Sequence, residues 1–166
     1  MRETAWPPAR RAEGSLIDRP RLRASVVSGR GHTLISGDLD AAMAALSAGA
    51  PMLGLYALAP DAAHALRISR DSALLVTPAP IEAPEGWREG WCATALDDGW
   101  TAIDVSGPGA ALALAQGTAA DLEAGSASAA VLFAGFRCLL SRRPEGFRLH
   151  VERPWLEALL TRLDGA

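Results

Sequence analysis

Thr101–Leu122, TAIDVSGPGAALALAQGTAADL, decides how the rest of the chain is read. A β-rich run ends in Gly107-Pro108-Gly109, and an apolar segment of helical composition follows. If the glycine turn cradles a phosphate, the chain is a nucleotide binder with a parallel sheet. If it is only a corner, the fold class is open. The dinucleotide fingerprint needs a third glycine where Leu112 stands. The P-loop ends in glycine-lysine, and this chain contains no lysine. Pro108 also lacks an N–H that a phosphate would use. The stretch therefore reads as a strand-to-helix corner. Gly107 makes the turn, Ser106 or Gly107 caps the helix, and Pro108 begins it.

Working outward, Trp91–Leu96 and Gly99–Val105 read as a hairpin around the turn former Asp97-Asp98-Gly99. Downstream, Ala129–Ser141 is a long β-rich run bent at Gly135. Pro144-Glu145-Gly146 is a turn, and Phe147–Val151 returns as a strand. The last helix begins at Pro154, a residue favoured at the first helical position, and carries Leu156, Leu159, Leu160 and Leu163 as its stripe. Upstream, Leu22–Val27 and His32–Ser36 read as strands about the turn Gly29-Arg30-Gly31. A helix follows, with Asp38 as its N-cap and Leu39, Met43 and Leu46 on one face. Gly49 and Pro51 end it. Leu66–Ile68 and Ala73–Thr77 pair around Ser69-Arg70-Asp71-Ser72, and Pro78–Gly90 is a loop. Pro51–His64 carries no decisive pattern.

Hairpins outnumber crossovers in this order. The pattern predicts an α+β fold with mainly antiparallel sheets and helices packed on them. An extended, irregular arm of residues 1–20 precedes a single domain of residues 21–166. Its two related halves, 21–90 and 91–166, each place a helix after strands, without a sequence repeat.

Composition narrows the function classes. The 166 residues are 49% apolar, but alanine inflates that share, and there are three Phe and one Tyr. Buried alanine contributes little at ~25 cal/mol per Å², so a thin core completed by a partner is expected. Net charge is −3, and the sixteen basic residues are all arginine. Arg2, Arg10, Arg11, Arg19, Arg21 and Arg23 cluster early but are interrupted by Pro7, Pro8 and Pro20. No basic face forms, so nucleic acid is not an expected partner. No run reaches the ~20 apolar residues of a membrane span, and no signal core opens the chain. A cytoplasmic protein is expected, with Cys92 and Cys138 as buried thiols.

Candidate chemistry is sparse. His32, His64 and His150 are scattered, and no G-x-S-x-G elbow accompanies them. Gly29-Arg30-Gly31-His32 reads as a small anion nest or as a hairpin turn, the turn being favoured. Trp87, Trp91, Trp100 and Trp155 belong to core or interface. Tryptophan is enriched at binding hot spots, and Trp87 sits in a loop. Trp87, Trp100, Arg19 and Arg21 are therefore the candidate partner interface, with no catalytic, cofactor or metal residue assigned.

Four segments, in order, resemble the gamma subunit family of heterotetrameric sarcosine oxidase. SLIDRPRL (Ser15–Leu22) is similar to its T-L-x-E-R-P-L opening, and LRISRDSALLVTP (Leu66–Pro78) to its L-W-L-G-P-D-E-W-L-L-x-x-P hairpin. DDGWTAIDVSGPGAALALAQGTAADL (Asp97–Leu122) resembles the S-G-P-centred signature, and HVERPWLEALLTRL (His150–Leu163) the closing helix. Ser106-Gly107-Pro108 is the most specific block. Thr118 and Ala119 replace the family's Cys-Pro, Ala129-Ala130 its Gln-Thr, and Ala73 a tryptophan, which makes this a divergent member. The resemblance implies a fold like the folate-binding domain of the aminomethyltransferase family. It also implies an accessory subunit that binds larger alpha- and beta-like oxidase subunits. FAD, FMN, NAD and folate would sit on those partners, and no cofactor on this chain. The competing readings are a standalone folate-binding protein, with pterin stacked on Trp87 or Trp100, and a homodimer of unknown role.

Overall fold

The computed structural model describes residues 15–165. Two sheets stack face to face, with helices on both outer surfaces. The first sheet has the order β1-β2-β8-β11-β10-β9. Its strands are β1 (Ser15–Asp18), β2 (Arg23–Val27), β8 (Trp100–Ser106), β9 (Ala130–Phe133), β10 (Phe136–Arg143) and β11 (Gly146–Glu152). The second has the order β4-β5-β6-β3-β7. It is built from β3 (Gly31–Gly37), β4 (Met52–Leu53), β5 (His64–Arg67), β6 (Ser72–Thr77) and β7 (Trp91–Ala95). All pairings are antiparallel except β4 with β5. The expected α+β class with mainly antiparallel sheets is what forms.

Side-chain alternation sorts the layers. Phe147, Leu149 and Val151 on β11, with Ile103 and Val105 on β8, pack beneath α2 (Ala110–Gly117) and α3 (Leu156–Asp164). Ile35, Leu75 and Trp91 pack beneath α1 (Leu39–Leu46). Between the sheets lie Leu66, Leu74, Val76, Trp100, Ala129 and Leu139. Leucine, valine and isoleucine supply the volume, and alanines such as Ala24, Ala65, Ala73 and Ala102 let strands approach with no exposed surface left.

The division into halves 21–90 and 91–166 does not coincide with the sheets. β2–β3–α1–β5–β6 and β7–β8–α2–β10–β11 follow the same plan, and each gives its first strand to the other's sheet. β2 pairs with β8, while β7 pairs with β3. Both predicted hairpins at these places are therefore corrected. Ser28-Gly29-Arg30 and Leu96–Gly99 carry the chain from one sheet to the other, and Leu96 N–H donates to the His32 carbonyl where they pass. A two-residue I′ turn requires positive φ, and Gly99 does not adopt one. Instead the Asp97 carboxylate accepts the His32 backbone N–H at 2.6 Å, tying one crossing to the other.

Three further expectations change. Residues 15–18 of the expected arm form β1, in register with Asp18 opposite Arg23; residues 1–14 lie outside the described residues. Ala129–Ser141 is no single bent run, because Ala134 (φ 50°) and Gly135 (φ 89°) both enter the left-handed region and fold β9 back on β10. The N-cap of α2 is Gly109 rather than Ser106 or Gly107. Ser106 is still held in the ladder, opposite Arg23 and Gly146.

The corner at Gly107 has a twin at Gly37, with φ of 103° and 100°. Asp38 N–H donates to the Gly90 carbonyl at 3.0 Å, and Gly109 N–H to the Arg21 carbonyl at 2.8 Å. Each strand-to-helix corner thus grips the strand that arrives from the other half. A Cβ on Gly107 would stand 2.7 Å from that Arg21 oxygen. Gly107→Ala is expected to destabilise by about 1–3 kcal/mol through backbone strain and clash. Urea unfolding measures it, and a loss under about 0.5 kcal/mol, the scale of an ordinary surface change, would contradict this role.

Candidate functional site: a buried histidine and arginine cluster

The intersheet layer is apolar at one end and polar at the other. His32 and His64 both stand opposite Val76 on β6, so β3 and β5 place them in one row. On the facing sheet, Arg148 lies between Asp104 and Ser141 across the strands, and His150 follows two residues later on the same face. His32, expected to be scattered from the others, meets His150 with Nε2 3.1 Å from Nδ1. His64, Ser141 and His150 have no exposed surface, and Arg148 is 3% exposed.

Arg148 donates through Nε and Nη2 to both Asp104 oxygens, at 2.6 and 2.7 Å. Nearer the surface, Arg30 and Arg143 both donate to the exposed Asp61. Arg143 also donates to the Ala59 carbonyl at 2.7 Å. These arginines hold the Asp61 carboxyl below the usual carboxylate range, chiefly through the Arg143 hydrogen bond.

The imidazoles are held neutral. Burial pushes His32 down to about 4, against an opposing pull from Asp97. Burial also lowers His64, with Arg148, Arg30 and Arg143 adding to it. His150 falls well below the ordinary value through burial and then through its neighbours His32 and His64. His64 Nδ1 is 2.9 Å from the Ala62 carbonyl, which can only accept, so Nδ1 carries the proton. Its Nε2 is then a bare lone pair.

Among the described residues, five buried side-chain polar atoms have no hydrogen-bond partner: His32 Nδ1, His64 Nε2, Ser141 Oγ, Arg148 Nη1 and His150 Nε2. All five belong to this cluster. Buried polar atoms are normally paired, so their concentration in one place singles it out. No group of three or more His, Cys, Asp and Glu among the described residues is placed to hold a metal ion.

The predicted interface residues are not brought together here. Trp87 is 69% exposed in the 78–90 loop. Trp100 is 8% exposed and fills the intersheet core, so it cannot present itself to a partner or stack a pterin. Its place in β8 points its ring inward on the face opposite Ile103. Arg19 pairs at the surface with Asp164, with nitrogen to oxygen distances of 2.8 and 2.9 Å. Arg21 is exposed and contributes its backbone carbonyl to the Gly109 corner. Leu58, Leu112, Leu132 and Trp155 are further exposed apolar side chains.

No family model matches the chain, and no curated protein matches it. A solved structure does: a chain of the heterotetrameric sarcosine oxidase from Corynebacterium sp. U-96, determined with pyrrole 2-carboxylate. The fold is shared with that oxidase chain. Identity is 19%, the match covers 89% of this chain and 84% of the other, and the TM-score is 0.69. The two chains are therefore of similar length and superpose over nearly all of it. Among the described residues, no helix is long and apolar enough to cross a membrane.

Proposed function

We propose that this chain is the small, gamma-like accessory subunit of a heteromeric, flavin-dependent, sarcosine-oxidase-type complex in the cytoplasm. Its role is assembly. The complex acts on sarcosine or a related N-methyl amino acid, and the flavins, NAD and folate belong to larger alpha- and beta-like subunits. The observation that supports this reading most is the end-to-end match to a similarly sized chain of a heterotetrameric oxidase. The order of the resembling segments, centred on Ser106-Gly107-Pro108, agrees with it. Trp87 with Arg19 and Arg21 is the proposed grip, Trp87 because it exposes a large ring on a loop without regular structure.

Co-expression with candidate large subunits tests the reading. The complex is expected to form and turn over substrate only with this chain present. Equal assembly and turnover without it would end the proposal. Trp87→Ala is expected to leave the urea midpoint of the isolated chain unchanged while weakening capture of the large subunits by about 2 kcal/mol, the cost of losing a hot-spot residue. Unaltered capture would remove Trp87 from the interface.

A further inference from the structure

The His and Arg cluster has the makings of a ligand site of its own. Three guanidinium groups, Arg30, Arg143 and Arg148, converge on two carboxylates, Asp61 and Asp104. Beyond His32 stand one more acid and one more base, Asp97 and Arg153, which leave the balance unchanged. With the imidazoles neutral, the cluster carries one positive charge in surplus. Arg148 Nη1 can only donate, and it is buried and unpaired. Ser141 Oγ, its cross-strand neighbour, is buried and unpaired as well.

We propose that this cluster binds one small carboxylate, which enters where Asp61 now lies and reaches Arg148, Ser141 and His64. That the ligand is an anion follows from the positive surplus, which grows when Asp61 is displaced. The carboxylate class follows from Asp61 and Asp104, which show that these arginine forks already accept carboxylates in paired geometry. The route follows from exposure. Asp61 has a side chain 76% exposed, on a segment without regular structure, whereas His64 on β5, Ser141 on β10 and Arg148 on β11 are buried. Arg30 and Arg143 behind it are each only 13% exposed.

The lone pair on His64 Nε2 would repel a bound carboxylate. A proton on that nitrogen converts repulsion into a charge-assisted hydrogen bond. The anion also offsets Arg30, Arg143 and Arg148, which together with burial keep His64 neutral. Binding therefore takes up a proton at His64. The neighbouring His150 and His32 share one proton between Nδ1 and Nε2, so one of their two outer nitrogens remains a donor and the other an acceptor.

The full-length chain is titrated with sodium acetate at fixed ionic strength, and the imidazole Cε1–H resonances are followed by NMR. Saturable shifts of His64 and His150 are expected, with affinity rising as pH falls from 8 to 6.5 and the linked proton becomes available. Arg148→Met should abolish saturation. Asp61→Asn, a change at an exposed side chain that keeps its size, should tighten acetate by about three- to tenfold by removing the competing carboxylate. Absence of saturable shifts in both the wild type and Asp61→Asn overturns the site. So does acetate affinity that is unchanged in a folded Arg148→Met or independent of pH. Inorganic phosphate binding in preference to acetate overturns the ligand class.

Discussion

Asp104→Ala should cost about 3 kcal/mol of stability, while Arg148→Met at the other end of the same pair costs about 1 kcal/mol. The asymmetry comes from where the charges sit. Arg148 is 3% exposed, and the Asp104 side chain is 37% exposed. Removing the aspartate leaves a buried guanidinium whose Nη1 already lacks a partner. The remaining carboxylate of the cluster, Asp61, is exposed and already taken by Arg30 and Arg143, and the other neighbours are neutral imidazoles. Removing the arginine leaves a carboxylate that water can reach, and methionine refills much of the stem's volume. Urea unfolding of both variants at neutral pH measures the two costs. Equal costs would mean that Arg148 is better solvated than its burial indicates.

The parts of this fold that were legible in the sequence are those whose causes are local. Asp38 caps α1 by accepting from Asp40 and Ala41 at 3.1 and 3.0 Å, a pattern contained in four consecutive residues. The turns between β5 and β6 and between β10 and β11 are written in the same way, by polar or Pro-Glu-Gly residues between apolar runs. The exchange of first strands was not legible. A strand's partner is chosen by distant residues, and Asp97-Asp98-Gly99 looks the same whether the chain folds back or crosses to another sheet. The proposed interface residue Trp100 failed for a related reason. Its exposure depends on which sheet β8 joins, and β8 is central.

The histidine cluster left one readable trace. In FRLHV, Phe147, Leu149 and Val151 already supply a full apolar face, so Arg148 and His150 must occupy the other. A strand of that kind between two neighbours asks what its polar face meets. For His150 the answer lies 118 residues away in sequence at His32, where spacing carries no information. What the sequence could not show is that three histidines on three strands, β3, β5 and β11, share one buried layer.

Acid should unfold this chain unusually steeply. The folded protein keeps His32 near 4 and lowers His64 and His150 as well, all principally by burial. Unfolded, each histidine titrates near 6.5. Between those values the unfolded chain binds more protons than the folded one, so stability rises with pH there and falls as pH is lowered. The stabilising contribution is complete above about pH 7, fades through the 6.5 region, and is lost as pH approaches the folded values. His32 alone, from 6.5 to about 4, accounts for about 3 kcal/mol by the lower limit, at 1.36 kcal/mol per unit. Near pH 5 His32 alone supplies about 1.4 kcal/mol per pH unit, and the lowered His64 and His150 add to that slope with the same sign. Asp61, Asp71 and Asp164 are lowered by their partners and act with the same sign at lower pH. Urea midpoints from pH 8 to 4.5 test this, and His64→Gln should make the slope shallower. A flat profile between pH 7 and 5 would mean that water reaches the imidazoles in the folded state. Acetate adds a second comparison. If a bound carboxylate lets His64 hold its proton in the folded chain, saturating acetate should flatten the acid limb as His64→Gln does. It should have no further effect on that variant, because the proton it would recruit is no longer there.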